Sequence, residues 1–369
     1  MMGQGASDPL PLVTLLGIGL ETARDLAGRG ARVILACRNL EATAKAKEDI
    51  RRTVPNANLE IVSLETSSLR SVRACARDVL QKENQLDILI HNAGIRAPLE
   101  RVLTEDDLEL TMATNHYGHF LLTILLLDLI IKSRPSRIIA VSSSMHHCGE
   151  IDLRNPNYER DYRFPFNWYE HAPVYANSKL AQVLFIKGLA KRLEGKGVTC
   201  MALHPGLLNT DFFSGVQGPW RALGCLAAIC GKNAKEGAQT TIHCAVDERF
   251  ADEAAWSGTY FKDCEPAAVN PVAENDHLIE GFWTYSEDVT RALAKYYQSP
   301  PSPKLQLDAE ASRGSMTSEE SKESPRESKE LSREPKESPK EPKESPKEPK
   351  ELPKQTKNKI PENSQPFVI

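Results

Sequence analysis

The sequence predicts an α/β fold, a doubly wound parallel sheet in a single domain followed by a disordered C-terminal tail. Three observations predict it. Short, nearly continuous apolar runs alternate with helix-period stretches from about Leu12 to Gln298, the pattern of βαβ units whose strands are covered on both faces. Clusters of hydroxyl, amide and glycine residues fall where those runs end, as expected when a ligand crevice lies at the carboxyl ends of the strands. Near Ser299 the aromatic and branched residues give way to Pro, Ser, Lys and Glu.

In order, strands are expected at Leu12 to Thr14, Ala31 to Ala36, Leu59 to Leu64, Leu86 to His91, Arg137 to Ser142, Val198 to His204 and Thr259 to Lys262. Each is short, branched and apolar, and each is bounded by turn residues. The first belongs at the sheet centre, yet Pro11 adjoins it and Pro9 lies just upstream, and a central strand tolerates proline poorly. Between the strands, apolar residues recur at helical spacing over Ile18 to Gly28, Leu40 to Arg52, Leu69 to Lys82, Leu108 to Lys132, Tyr175 to Glu194 and Glu236 to Asp247. The domain spans 12–298 and the tail 299–369.

From Glu323 to Lys357 the tail repeats every seven residues, with nine Glu against eight Lys and two Arg. Only Leu331 and Leu352 are apolar there, and proline falls inside most units, so no coiled-coil seam forms and disorder is expected. Ser-Pro pairs at Ser324, Ser338 and Ser345 suit a protein partner or phosphorylation.

Composition narrows the function. The 369 residues carry 50 acidic and 46 basic side chains, a balance that argues against a nucleic-acid partner. Eight cysteines show no C-x-x-C pair and no zinc-type spacing, so reduced thiols and no metal are expected. Met1 to Pro11 lacks a basic region followed by an apolar run, and no signal peptide is expected. The apolar segment Phe120 to Ile131 is too short to span a bilayer and contains Asp128. A cytoplasmic protein with no transmembrane anchor follows; a peripheral place on the endoplasmic reticulum membrane is the alternative.

The chemistry gathers around Tyr175-Ala-Asn-Ser-Lys179. Spacing of i, i+4 puts a phenol and an ammonium on one helix face, and a neighbouring cation favours the phenolate of a residue that is otherwise a weak base at neutral pH. Upstream lie Asn92-Ala93-Gly94 at a strand end, Asn115-His-Tyr-Gly118 in a long helix, and Val141-Ser-Ser-Ser144 closing another strand; downstream lies His204-Pro205-Gly206-Leu-Leu-Asn-Thr210.

These motifs, with ACRN, LDILIHNAG, NHYGHFLLT, VSSSMHH, YANSKLAQVLF and HPG, resemble the short-chain dehydrogenase/reductase superfamily and within it the retinol dehydrogenase group, over Val13 to Tyr296. The resemblance implies a Rossmann-type domain and a catalytic tetrad of Asn115, Ser143, Tyr175 and Lys179. Ser143 matches the second serine of the family's V-S-S, with Ser142 and Ser144 as neighbours. In these roles Tyr175 exchanges the proton, Ser143 polarises the carbonyl, Lys179 lowers the Tyr175 pKa and holds the nicotinamide ribose, and Asn115 keeps a water chain to Lys179. Cofactor contacts are expected from Gly17, Ile18, Gly19, Arg38, Glu65, Asn92, Ala93, Gly94, Tyr175, Lys179, Pro205, Gly206 and Thr210. The resemblance also implies a homodimer.

At Ala36-Cys37-Arg38-Asn39 no acidic residue awaits a ribose 2′-hydroxyl, whereas Arg38 suits a 2′-phosphate, so NADP is favoured over NAD. The glycine-rich loop departs from the family: Thr14-Leu-Leu-Gly17-Ile-Gly19 lacks the first glycine and is two residues shorter than T-G-x-x-x-G-x-G. After the third strand Glu65 stands where the family has aspartate. The segment between Ser144 and Tyr175 contains Tyr158, Tyr162, Phe164, Phe166, Trp168 and Tyr169; with Phe212, Phe213 and Trp220 it could wall a pocket for a hydrophobic alcohol or carbonyl of retinoid or lipid type, or pack over the sheet edge. Two functions remain: an NADP(H)-dependent oxidoreductase, and a catalytically weak family member that acts as an interaction protein through its tail.

Overall fold

The computed structural model describes residues 17–98, 100–159, 172–208, 231–292 and 367–368. The sheet is built from β1 (Arg32–Cys37), β2 (Asn58–Ser63), β3 (Ile88–His91), β4 (Ser136–Val141), β5 (Val198–His204), β6 (Thr259–Lys262), β7 (Glu265–Pro266) and β8 (Phe367–Val368). The strand order is β2-β1-β8-β3-β4-β5-β6-β7. All neighbours run parallel except β6 and β7, which pair antiparallel.

Alternation along the strands sends side chains to two separate cores. Val33, Leu35 and Cys37 of β1 face α1 (Ile18–Gly28) and α2 (Leu40–Thr53), whose Leu26 and Ile50 are fully buried. Ile34 faces the opposite core with α3 (Leu69–Lys82), α4 (Leu110–Lys132) and α5 (Ala172–Arg192). This is the doubly wound arrangement expected from strands apolar on both sides. On the α1 side, Arg137 of β4 donates to the carbonyls of Cys244, Ala245 and Asp247. It thereby satisfies the last carbonyls of α6 (Gln239–Val246).

Three expectations need correction. The central position, between β1 and β3, pairs with Phe367–Val368 from the end of the chain; the expected strand Leu12 to Thr14 lies outside the described residues. Those two tail residues are therefore strand, where disorder was expected of all of 299–369. The helix expected over Glu236 to Asp247 is two pieces, Ala234–Gly237 and α6, joined at Ala238. A further helix, α7 (Asp276–Thr290), starts at the Asn275 cap and buries Ile279, Phe282, Trp283, Ser286 and Thr290.

Helix α4 is long and apolar enough to cross a membrane by composition, but 78% of its most apolar window is buried. It is a core helix. Ala113–Tyr117 forms one π turn within it, and such turns commonly mark functional sites.

Candidate active site

The site lies along the carboxyl ends of β1, β3, β4 and β5 and the N-terminus of α1. Ser143 follows β4 and caps the short 3-10 turn Ser144–Cys148, accepting from the Met145 amide at 3.2 Å. Its hydroxyl hydrogen-bonds the Tyr175 phenol. Ser142 has a different use: it is buried and donates to the Lys179 carbonyl at 2.7 Å. Ser144 is exposed. Geometry thus separates the three serines.

Tyr175 and Lys179 stand one turn apart on α5, with Lys179 Nζ 5.6 Å from the centre of the Tyr175 ring. Burial pushes the phenol up to about 12, while the Ser143 hydrogen bond acts in the opposite direction. Burial lowers the ammonium to about 8. Lys179 Nζ donates to the Val141 carbonyl at 2.9 Å. The Ser143 hydrogen bond thus eases ionisation of the phenol, with the Lys179 ammonium one turn away.

Asn115 is fully buried in the π turn. Its Oδ1 accepts from Ile95 N at 2.7 Å, and its Nδ2 donates to Ile95 O and to Ser178 Oγ, both at 2.9 Å. Its backbone carbonyl accepts from Gln182 Nε2. The side chain thus braces the segment after β3 against α5, with every polar atom engaged.

That braced segment is Asn92-Ala93-Gly94. A Cβ on Gly94 would lie 3.2 Å from Lys179 Nζ and 3.4 Å from Asn115 Oδ1, so a side chain there would crowd the ammonium. Opposite it, Gly17 (φ 90°) starts α1, an eleven-residue helix with no side-chain cap. A Cβ on Gly19 would meet Asn92 Nδ2 at 2.6 Å, and the buried Oδ1 of Asn92 has no hydrogen-bond partner among the described residues. A glycine-lined, uncapped helix N-terminus beside an orphaned amide oxygen fits the diphosphate and ribose of a dinucleotide.

At the far end, Arg38 Nη1 lies 3.0 Å from Glu65 Oε2, and Glu65 Oε1 accepts from Ser67 Oγ at 2.9 Å. Pro205 and Gly206 follow β5 directly; Thr210 lies outside the described residues, as do Tyr162, Phe164, Phe166, Trp168, Tyr169, Phe212, Phe213 and Trp220. Of the aromatic segment Tyr158 is described, and its hydroxyl accepts from Asn177 Nδ2 at 2.6 Å.

Three residues of the site escaped the sequence reading. Asn177 accepts from the Glu150 amide at 2.7 Å and so ties the serine loop to α5. Asn270 donates to the carbonyls of His146, His147 and Gly149 at 3.2, 3.3 and 3.0 Å. Gln182 bridges the Asn115 carbonyl and His119 Nδ1. Gln182 was findable, three residues after Lys179 on the same helix face; nothing local marks Asn177 or Asn270. Among the described residues, no group of three or more His, Cys, Asp or Glu could hold a metal.

A family model for short chain dehydrogenase matches residues 14–153. The chain is 42% identical to human retinol dehydrogenase 12 over 274 residues, covering 73% of this chain and 82% of the relative. It is 38% identical to human retinol dehydrogenase 13, covering 78% and 86%. A crystal structure of an uncharacterized protein from Mycobacterium Paratuberculosis superposes with a TM-score of 0.56 at 30% identity, over 74% of this chain and 90% of that one. Motifs, topology and relatives agree: the chain belongs to the short-chain dehydrogenase/reductase family of NAD(P)-dependent oxidoreductases, in its retinol dehydrogenase-like group.

Proposed function

We propose that the protein is an NADP(H)-dependent oxidoreductase that interconverts an alcohol and a carbonyl on a hydrophobic, retinoid-like substrate. The observation that carries this reading is the Tyr175 phenol hydrogen-bonded to Ser143, one helical turn from the buried Lys179 ammonium. The substrate class comes from the retinol dehydrogenase relatives. NADP rests on Arg38 at the end of β1. A cytoplasm-facing location belongs to the same proposal.

Gly17, Ile18 and Gly19 would hold the diphosphate, Asn92 Oδ1 would accept from a ribose hydroxyl, and Lys179 would donate to the nicotinamide ribose. The nicotinamide, when bound, gives or takes the hydride. As a carbonyl is reduced, charge develops on its oxygen, which Ser143 Oγ–H stabilises and to which Tyr175 gives its proton. Reduction uses the protonated phenol. Oxidation needs the phenolate, so its rate should rise with pH above neutrality.

The test is NADPH binding by fluorescence and turnover of retinal, in the native chain and in Tyr175→Phe. The variant should lose turnover by about 10²–10⁴-fold while still binding NADPH. Half-retained activity refutes the role of Tyr175. No NADPH binding up to millimolar concentration supports the interaction-protein alternative.

A further inference from the structure

We propose that Glu65 sets how sharply the site discriminates between 2′-phosphorylated and 2′-hydroxyl dinucleotides, by holding Arg38 in an ion pair. This rests on the dinucleotide reading above and deepens it. The pair is built by strand register. β1 and β2 end side by side, with Cys37 opposite Ser63, and the Leu64 amide donates to the Cys37 carbonyl at 3.0 Å. Arg38 and Glu65 therefore leave the sheet together, and the longer glutamate side chain brings Oε2 to 3.0 Å from Arg38 Nη1. Glu65 is held in that pose by Ser67, which donates to Oε1 from its amide at 3.3 Å and from its hydroxyl at 2.9 Å.

The electrostatic consequence is local. A 2′-phosphate is recognised by a guanidinium through charge and through its fork of donors. With a carboxylate at contact distance, the arginine and glutamate together carry no net charge, so an incoming dianion meets a dipole where it would otherwise meet a full cation. A guanidinium carries five N–H donors, more than one carboxylate takes up, so donors remain for phosphate oxygens. Just beyond, Asn39 caps α2 by accepting from the Ala42 amide at 2.9 Å, and the positive end of that fourteen-residue helix adds to the potential on the same side. The site is thus cationic by construction and muted by one residue. Because the Arg38 side chain is 47% exposed and Glu65 23%, solvent and salt limit the effect to roughly one decade of affinity.

The experiment measures dissociation constants for NADPH and NADH in the full chain and in Glu65→Gln, Arg38→Ala and the double variant. Glutamine keeps the shape and an acceptor for Ser67 while removing the charge. The NADPH-over-NADH preference should increase about tenfold in Glu65→Gln. It should be lost or reversed in Arg38→Ala, where the Glu65 carboxylate is left to face the phosphate alone, and return toward unity in the double variant. NADPH affinity should also fall more steeply with salt in Glu65→Gln than in the native chain. If Glu65→Gln proves poorly folded by circular dichroism, Glu65→Ala, which also removes the charge, should raise the preference in the same direction. A preference within twofold of the native value in well-folded variants that still bind NADPH overturns the role of Glu65 alone. Failure of every form to bind either dinucleotide overturns the cofactor reading, and this inference with it.

Discussion

Replacing Asn115 by alanine removes three hydrogen bonds at once, to Ile95 N, Ile95 O and Ser178 Oγ. Ile95 is buried, so both of its backbone groups lose their partner without gaining water. Each buried group left unsatisfied costs about 1–3 kcal/mol, and a loss of roughly 3 kcal/mol in a domain of this size lowers Tm by about 6–12 °C. The braced segment continues from Asn92 and Gly94, which line the crevice, so NADPH affinity should fall together with stability. Calorimetry and NADPH titration on the same preparation read both effects. A Tm within 2 °C of the native value, with only turnover reduced, refutes the bracing role and returns Asn115 to the water chain expected from the family.

Two further outcomes follow from particular residues. Burial holds His116 and His119 at about 3 and His146 and His204 at about 4, against 6.5 when unfolded. Between those values the unfolded chain binds more protons than the folded one, so stability falls as pH drops below about 6.5, by on the order of 1 kcal/mol per histidine at pH 5.5; urea melts at pH 7.5 and 5.5 that coincide contradict this. Val368→Pro removes a ladder donor from β8 between β1 and β3, so stability should drop by about 1–3 kcal/mol and the amides of Ile34 and Leu89 should exchange faster. Unchanged exchange there shows that the sheet does not depend on β8.

The amino-acid sequence alone determined the fold class, the segments that form β1 to β6 and the positions of Tyr175 and Lys179. Apolar runs with two-sided burial leave little choice of fold, and a phenol and an amine four residues apart must share a helix face. Sequence also located the crevice, because motif residues fall at strand ends. Tertiary structure decided what the local pattern is silent about. Which of three adjacent serines meets Tyr175 depends on how the β4 turn packs on α5, where Ser142 is consumed by the Lys179 carbonyl. Whether Asn115 braces or relays depends on the 92–95 segment, twenty residues away in sequence. The pairing of Glu65 with Arg38, the grip of Asn270 on the serine loop and the entry of Phe367–Val368 into the sheet are contacts between segments 27 to more than 300 residues apart. Their energy comes from hydrogen bonds and charge pairs that only the folded backbone brings within reach, so no periodicity announces them.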